Sequence, residues 1–331
     1  MTSPTPDLSL AGYLYAQGLI TRQMAQLAAQ VIRRMGVPAT PAERKAVARV
    51  MYPRLDRARR QSYVLAARSM RTQLPDVVPA PLRPYPIEAL EQAIADVIDD
   101  VPDSDDLFGD DDVLDTVDLS DLDEQIDEVS DAVDDLPDEI PEPVREKPRV
   151  RIVEGGARKT PRVRVVDTMG ARLARHAHAA GRDAVVDTAE KEGAEVGWAR
   201  VLSGAENCAW CTMLASRGPD YRSENSALFA SGKRGKRRAG ETYHDHCDCK
   251  AVLVRKGEDW PGREQHELLE DLWREATKGH SGRHAVNALR RQLYRADRDG
   301  LTHQELLDAL REENKSRPGG GKPKPRRRKK R

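Results

Sequence analysis

The feature that most constrains this chain is a gap in its positive charge. Between Arg83 and Arg145 there is no Lys or Arg, while Asp and Glu crowd the interval from Asp96 to Glu142. Like charges at that density repel one another. The short apolar clusters among them (Val113, Leu114, Val117, Leu119, Leu122, Ile126, Val129, Val133 and Leu136) are too sparse to offset the entropy lost on compaction. Residues 96–148 are therefore expected to form a long disordered acidic segment, either a solubilising linker or a stretch that engages a basic partner. The formal net charge of zero, 55 basic against 55 acidic side chains, hides this segregation of sign.

On the N-terminal side of the gap, residues 1–95 read as a helical region. Apolar residues recur at helical spacing from Leu8 to Met35 (Leu10, Leu14, Leu19, Met24, Leu27, Val31), and Gly36 and Pro38 then break the pattern. Thr40, with Pro41 after it and Glu43 three residues on, has the form of a capping box that opens a second helix through Val47, Leu55, Leu65 and Met70. Pro53 is expected to kink that helix. Its many arginines, among them Arg44, Arg49, Arg57, Arg60, Arg68 and Arg71, fit either a solvated face or a docking surface.

Beyond the gap, basic and β-branched residues alternate over 149–167, which fits a hairpin around Gly155 and Gly156 or an extended linker. Thr168 to Lys191 is Ala-rich and periodic, a long helix stopped by Gly193. Gly197 to Leu202 and Ala251 to Val254 read as strands on either side of the cysteines. Three further helices are expected in residues 257–313, at Pro261 to Lys278, Gly282 to Ala296 and Thr302 to Glu313. Residues 314–331 form a basic tail, Pro- and Gly-rich and expected to be disordered. Its Lys322, Lys324, Arg326, Arg327, Arg328, Lys329, Lys330 and Arg331 are suited to non-specific phosphate contacts on double-stranded DNA.

No apolar run approaches the roughly 20 residues that span a bilayer, and Met1 to Leu10 lacks the pattern of a secretory signal. A soluble protein with no membrane partner is expected. All four cysteines lie close together, Cys208 and Cys211 as C-x-x-C, Cys247 and Cys249 as C-x-C. A disulfide framework spreads cysteines through a small secreted chain, so this clustering favours metal. Thiolates two residues apart can point at one zinc ion about 2.3 Å away. Cys247 and Cys249 can complete the tetrahedron, and His244 is the alternative fourth ligand, so five candidates compete for four places. His246 is read as a surface residue. A thioredoxin-like redox motif lacks its βαβ context, and a zinc deaminase lacks its H-x-E, since Asp245 and His246 follow His244. Packing of reduced thiols beside Trp210 and Met213 is the remaining reading. The expected fold class is mainly α with a small β and Cys/His, zinc-knuckle-like module over 168–256.

Together, the run Trp198 to Gly204, Cys208-Ala-Trp-Cys211 continuing to Gly218, Tyr221 to Ser223, and Tyr243-His-Asp-His-Cys-Asp-Cys249 with a strand after it resemble the Mu F-like minor head proteins of tailed bacteriophages, particularly those of actinobacterial phages. The resemblance covers roughly Met169 to Val254, and Cys208, Cys211, His244, Cys247 and Cys249 fall on the family pattern. It implies a minor capsid component that associates with the portal protein, other capsid or scaffold proteins and packaged DNA, located in the capsid interior or at the portal vertex after assembly in the host cytoplasm. The basic run Lys233 to Arg238 between the motif halves fits a DNA contact or a solvated insertion.

The functional expectation is thus a non-enzymatic head-morphogenesis protein with a structural zinc module and a DNA-contacting tail. The alternatives are a stand-alone zinc-containing nucleic-acid-binding regulator, which lacks a recognisable recognition helix, and a metal-dependent nuclease, which lacks a convincing second metal position or general base.

Overall fold

The computed structural model describes residues 8–99, 161–203, 208–219, 247 and 249–316. The body of the acidic segment, the linker up to residue 160, the basic run at 233–238, His244 and His246, and the tail from 317 onward lie outside the described residues.

The first helix, α1 (Leu10–Met35), starts at Ser9, whose hydroxyl accepts the Gly12 N–H, and stops at Gly36, which takes φ 77°. The second, α2 (Pro41–Gln73), opens on Thr40 with both halves of the capping box in place. At 33 residues and about 1.5 Å per residue it is roughly 50 Å long. It continues through Pro53. The carbonyl that Pro53 leaves without an amide belongs to Arg49, four residues back, and both residues are exposed to water.

A third helix, α3 (Ile87–Asp99), buries Leu90, Ala93, Ile94, Val97 and Ile98 along one face. Composition puts the start of the acidic segment at Asp96. In the structure Asp96–Asp99 are instead the last turn of α3, where Asp99 meets Arg44 at 3.2 Å. The next helix, α4 (Pro161–Glu192), begins seven residues earlier than the Ala-rich stretch suggests. The hairpin-or-linker reading of 149–167 therefore fails over 161–167: the basic and β-branched alternation continues as helix, with Val165 buried and Val163 exposed.

The helix α4 packs against α1, α2 and α3 and runs on to touch both strands, so the N-terminal helices and the cysteine segment share one apolar core. Two glycines permit the close approach. A Cβ on Gly181 would stand 2.6 Å from the Ser62 carbonyl oxygen, and one on Gly170 would stand 2.9 Å from the Ala25 Cα. Between the three long helices lies a buried polar ring: His178 Nδ1 and the Ser62 hydroxyl both meet Gln17 Oε1, at 2.7 and 3.0 Å, and His178 Nε2 meets Thr21 at 2.8 Å.

A 3-10 turn at Gly193–Glu195 leads into β1 (Val196–Leu202), a helix of seven residues follows as α5 (Ala209–Ala215), and β2 (Cys249–Arg255) returns antiparallel to β1. The register pairs Leu202 with Cys249 and Arg200 with Ala251. Three amphipathic helices, α6 (Arg263–Ala276), α7 (Arg283–Asp299) and α8 (His303–Ser316), then pack on one another, with α6 and α7 also against α5. Residues 314–316, which composition assigns to the tail, are the end of α8. Among the described residues no helix is long and apolar enough to cross a membrane.

Candidate metal centre

Three elements bring the cysteines together. Cys208 is the N-cap of α5, its sulfur accepting the Cys211 N–H at 3.2 Å, and Cys211 lies in the first turn facing inward. Cys249 is the first residue of β2, and Cys247 stands two residues before it. The sulfurs of Cys211, Cys247 and Cys249 all lie within 4.8 Å of one another, at 3.5 Å from Cys211 to Cys247 and 3.2 Å from Cys247 to Cys249. These three thiols are buried, and Cys208, outside the triangle, is half-buried. The candidate ligand His244 lies outside the described residues.

The donor set fits a soft divalent ion. Four sulfurs around zinc at about 2.3 Å stand roughly 3.8 Å apart, so the triangle needs only slight expansion to accept one. The cluster could therefore hold a metal ion, as three buried soft donors already converge.

The surroundings are cationic. Arg182, on α4 and 1% exposed, donates through Nη2 to the Cys247 and Cys249 carbonyl oxygens at 2.7 and 2.6 Å, and through Nε to the latter at 3.1 Å. Arg200, on β1 and 3% exposed, donates to the Cys249 sulfur at 3.1 Å while lying near the Trp198 ring. The Cys211 and Cys247 thiols donate to Cys249, and Arg200 and Arg182 add their charges, so Cys249 is held well below the ordinary thiol range. Hydrogen bonds to Cys208, Cys247 and Cys249, together with burial, push Cys211 well above it. Cys247 is drawn down by Cys211, but donation to Cys249 and burial outweigh this and push it up to about 11. The Cys249 sulfur thus stands beside two further thiols and two guanidiniums, the surroundings that favour its ionised form most among the three.

Spacing alone points to the four cysteines. It does not point to Arg182 or Arg200. One signal was available: an arginine inside an apolar strand, as in Trp198-Ala-Arg200-Val-Leu, must meet an anion or acceptor when the strand is buried on both faces. On the side of α6 a groove of about 690 Å³ is lined by Leu10, Leu14, Val201, Trp260, Arg263 and Gln265 among others, and none of the cysteines reaches it.

Residues 122–276 match the model of a family described as VG15 protein. The Gene 15 protein of Mycobacterium phage D29 is 33% identical over 157 residues, covering 37% of this chain and 57% of its own length. The Gene 15 protein of Mycobacterium phage L5 is 29% identical over 140 residues, covering 30% of this chain and 48% of its own. The chain thus spans about half the length of the curated relatives it matches, and those relatives are phage proteins. No solved structure matches.

Proposed function

We propose that the chain is a minor capsid protein of a tailed phage, active in head morphogenesis, associated with the portal vertex, and built around a structural zinc centre. The observation that carries this reading is the burial of the sulfur cluster inside a core shared with the long helices. Cys211 and Cys249 are 1% and 0% exposed, so an ion there would brace the fold and be poorly placed to meet a macromolecular substrate. Structural zinc sites are closed in this way, whereas catalytic ones keep a position open. Similarity to mycobacteriophage proteins supports a phage setting, and the Mu F-like resemblance of the cysteine segment supports the head and the portal as its place. On this reading the protein performs no chemistry and its partners are the portal, other capsid or scaffold proteins and packaged DNA.

The tail provides the DNA contact. Lys322, Lys324, Arg326, Arg327, Arg328, Lys329, Lys330 and Arg331 place eight cations within ten residues, with nothing arranged to read base edges. Two measurements test the proposal. Fractionated virions should contain the protein with the portal; its absence from purified heads would overturn the capsid assignment. Binding to two unrelated duplexes across a salt series should show equal affinities that fall steeply with salt, each phosphate contact contributing about 0.9 to the logarithmic slope. Truncation after Ser316 should flatten that slope, and unchanged binding would move the DNA contact elsewhere.

A further inference from the structure

The helices α1 to α4 each bring one end to the same place. Contacts pair His178 with Gln17 and Gly170 with Ala25, so α4 runs antiparallel to α1 and begins beside its end. Arg59 donates to the His176 carbonyl oxygen while Ser62 faces Gly181, so α2 and α4 run the same way and start together. Asp99 meets Arg44, while Tyr85, just ahead of α3, accepts from the Tyr52 hydroxyl through its carbonyl oxygen. The third helix therefore ends where α2 starts.

Cations collect at this end. Arg33 and Arg34 lie in the last turn of α1, Lys45 and Arg49 stand one turn apart near the start of α2, and Arg162 lies in the first turn of α4. All five are exposed, and none has an ion-pair partner among the described residues. The described acidic groups close by are committed to other partners. Glu43 accepts the Ala39 and Thr40 N–H groups, Asp99 takes Arg44, Asp96 lies 4.0 Å from Arg172, and Asp167 is engaged as well. The acidic segment leaves the bundle here and the chain returns here, since residues 100–160 join Asp99 to Pro161. Asp100, Asp103, Asp105 and Asp106 follow α3 at once. At no more than about 3.5 Å per residue, they stay within roughly 25 Å of the Asp99 backbone whatever their path. Tethering of this kind corresponds to an effective concentration of millimolar order, which favours the chain's own carboxylates over a separate polyanion.

We propose that the acidic segment, residues 100–142, docks on this basic end of its own bundle, with Arg33, Arg34, Lys45, Arg49 and Arg162 as the receiving surface. Single exposed ion pairs are weak, but the segment carries no Lys or Arg to interrupt its acidic side chains, so one carboxylate can replace another without the segment leaving. The contact is electrostatic and therefore sensitive to salt. While it holds, this end is withheld from DNA phosphates and nucleic acid is left to the tail. The inference depends on neither the zinc centre nor the portal.

The test uses the full-length protein. A carbodiimide condenses a lysine amine with a neighbouring carboxylate to an amide, and Lys45 is the lysine of this surface. At about 0.02 M salt, mass spectrometry of the digested protein should find Lys45 joined to carboxylates between Asp100 and Glu142, with a yield that falls about fivefold at about 0.5 M salt as the screening length shrinks. Combining Arg33→Gln, Arg34→Gln and Arg49→Gln, all at exposed positions, should lower the yield severalfold at unchanged helix content. Absence of the Lys45 product at low salt, or cross-links from the segment to Lys322 and Lys324 in its place, overturns the proposal; the latter makes the tail the segment's partner. Products that form only between differently isotope-labelled chains in a mixed sample overturn docking within one chain. Duplex DNA should bind the triple variant and the wild type with the same affinity, and weaker binding to the variant would make DNA the occupant of this end and overturn the proposal.

Discussion

The ring of polar side chains between the long helices and the cysteine centre are both buried, both polar and both reached by α4, yet they are completed in different ways. In the ring, Gln17, Thr21, Ser62 and His178 satisfy one another with neutral hydrogen bonds, which is how a buried polar network avoids the penalty of unmade bonds. In the centre, Cys211, Cys247 and Cys249 bring three sulfurs together, with Arg182 bonded to the Cys247 and Cys249 carbonyls and Arg200 to the Cys249 sulfur. The first arrangement is finished by the polypeptide alone. The second offers three soft donors that could hold a metal ion, so on the structural-zinc proposal its stability should depend on what is bound.

The largest effect should come from metal removal. Binding energy at a structural zinc site is folding energy, so chelation should lower the melting temperature sharply. Amide exchange should show the loss concentrated in β1, α5 and β2, with α1 and α2 still protected. Equal loss across α1 and α2 would show that the two regions fold as one metal-dependent unit and would dissolve the contrast. A smaller and complementary effect is expected from Leu55→Ala in α2, where Leu55 is fully buried. It should cost about 2–5 kcal/mol in denaturant unfolding and leave the zinc content of the folded protein at one per chain. Loss of zinc at constant fold would show that the bundle tunes the centre.

The smallest effect tests the residue common to both regions. His178 is hydrogen-bonded within the ring, and burial, then the charges of Lys250 and Arg182, hold its pKa well below 6.5. A lowered folded value means that the neutral ring contributes stability fully above pH 6.5 and loses it as the pH falls below that, because the unfolded state takes up the proton first. The loss should approach about 1.4 kcal/mol per pH unit. Comparing unfolding free energies of wild type and His178→Gln at pH 7 and pH 5.5, with and without metal, should show a shallower dependence in the variant. Identical slopes would assign the acid sensitivity to the cysteines.

Much of the helical scaffold was legible because its signals are local. Thr40 and Glu43 announce the start of α2, Gly36 ends α1, and the periodicity of α6 to α8 needs no partner to be seen. The third helix escaped a reading based on composition because Asp96 and Asp99 look like the front of an acidic run, whereas Ile94, Val97 and Ile98 on the other face decide the matter by packing. The first turn of α4 escaped for a related reason: Val163 and Val165 alternate with arginines in the period of a strand, and only the continuation of the helix settles the period. At the centre, spacing pointed to the cysteines, three of which converge, but the guanidiniums arrive from α4 and β1, at 65 and 49 residues' separation from the cysteines they touch. No local pattern records that convergence.

The course of α4 has a consequence for how such a chain can be cut and recombined. One end of this helix is sheathed by α1, α2 and α3 and the other supports both strands. Excising the cysteine segment with its helix would therefore expose an apolar flank that includes Val165, Met169, Leu173 and Ala177, and excising it without the helix would forfeit Arg182. A gene segment that carries the cysteines into another protein must bring or find a cover for that flank. The unit of exchange is larger than the motif by the whole thickness of the bundle.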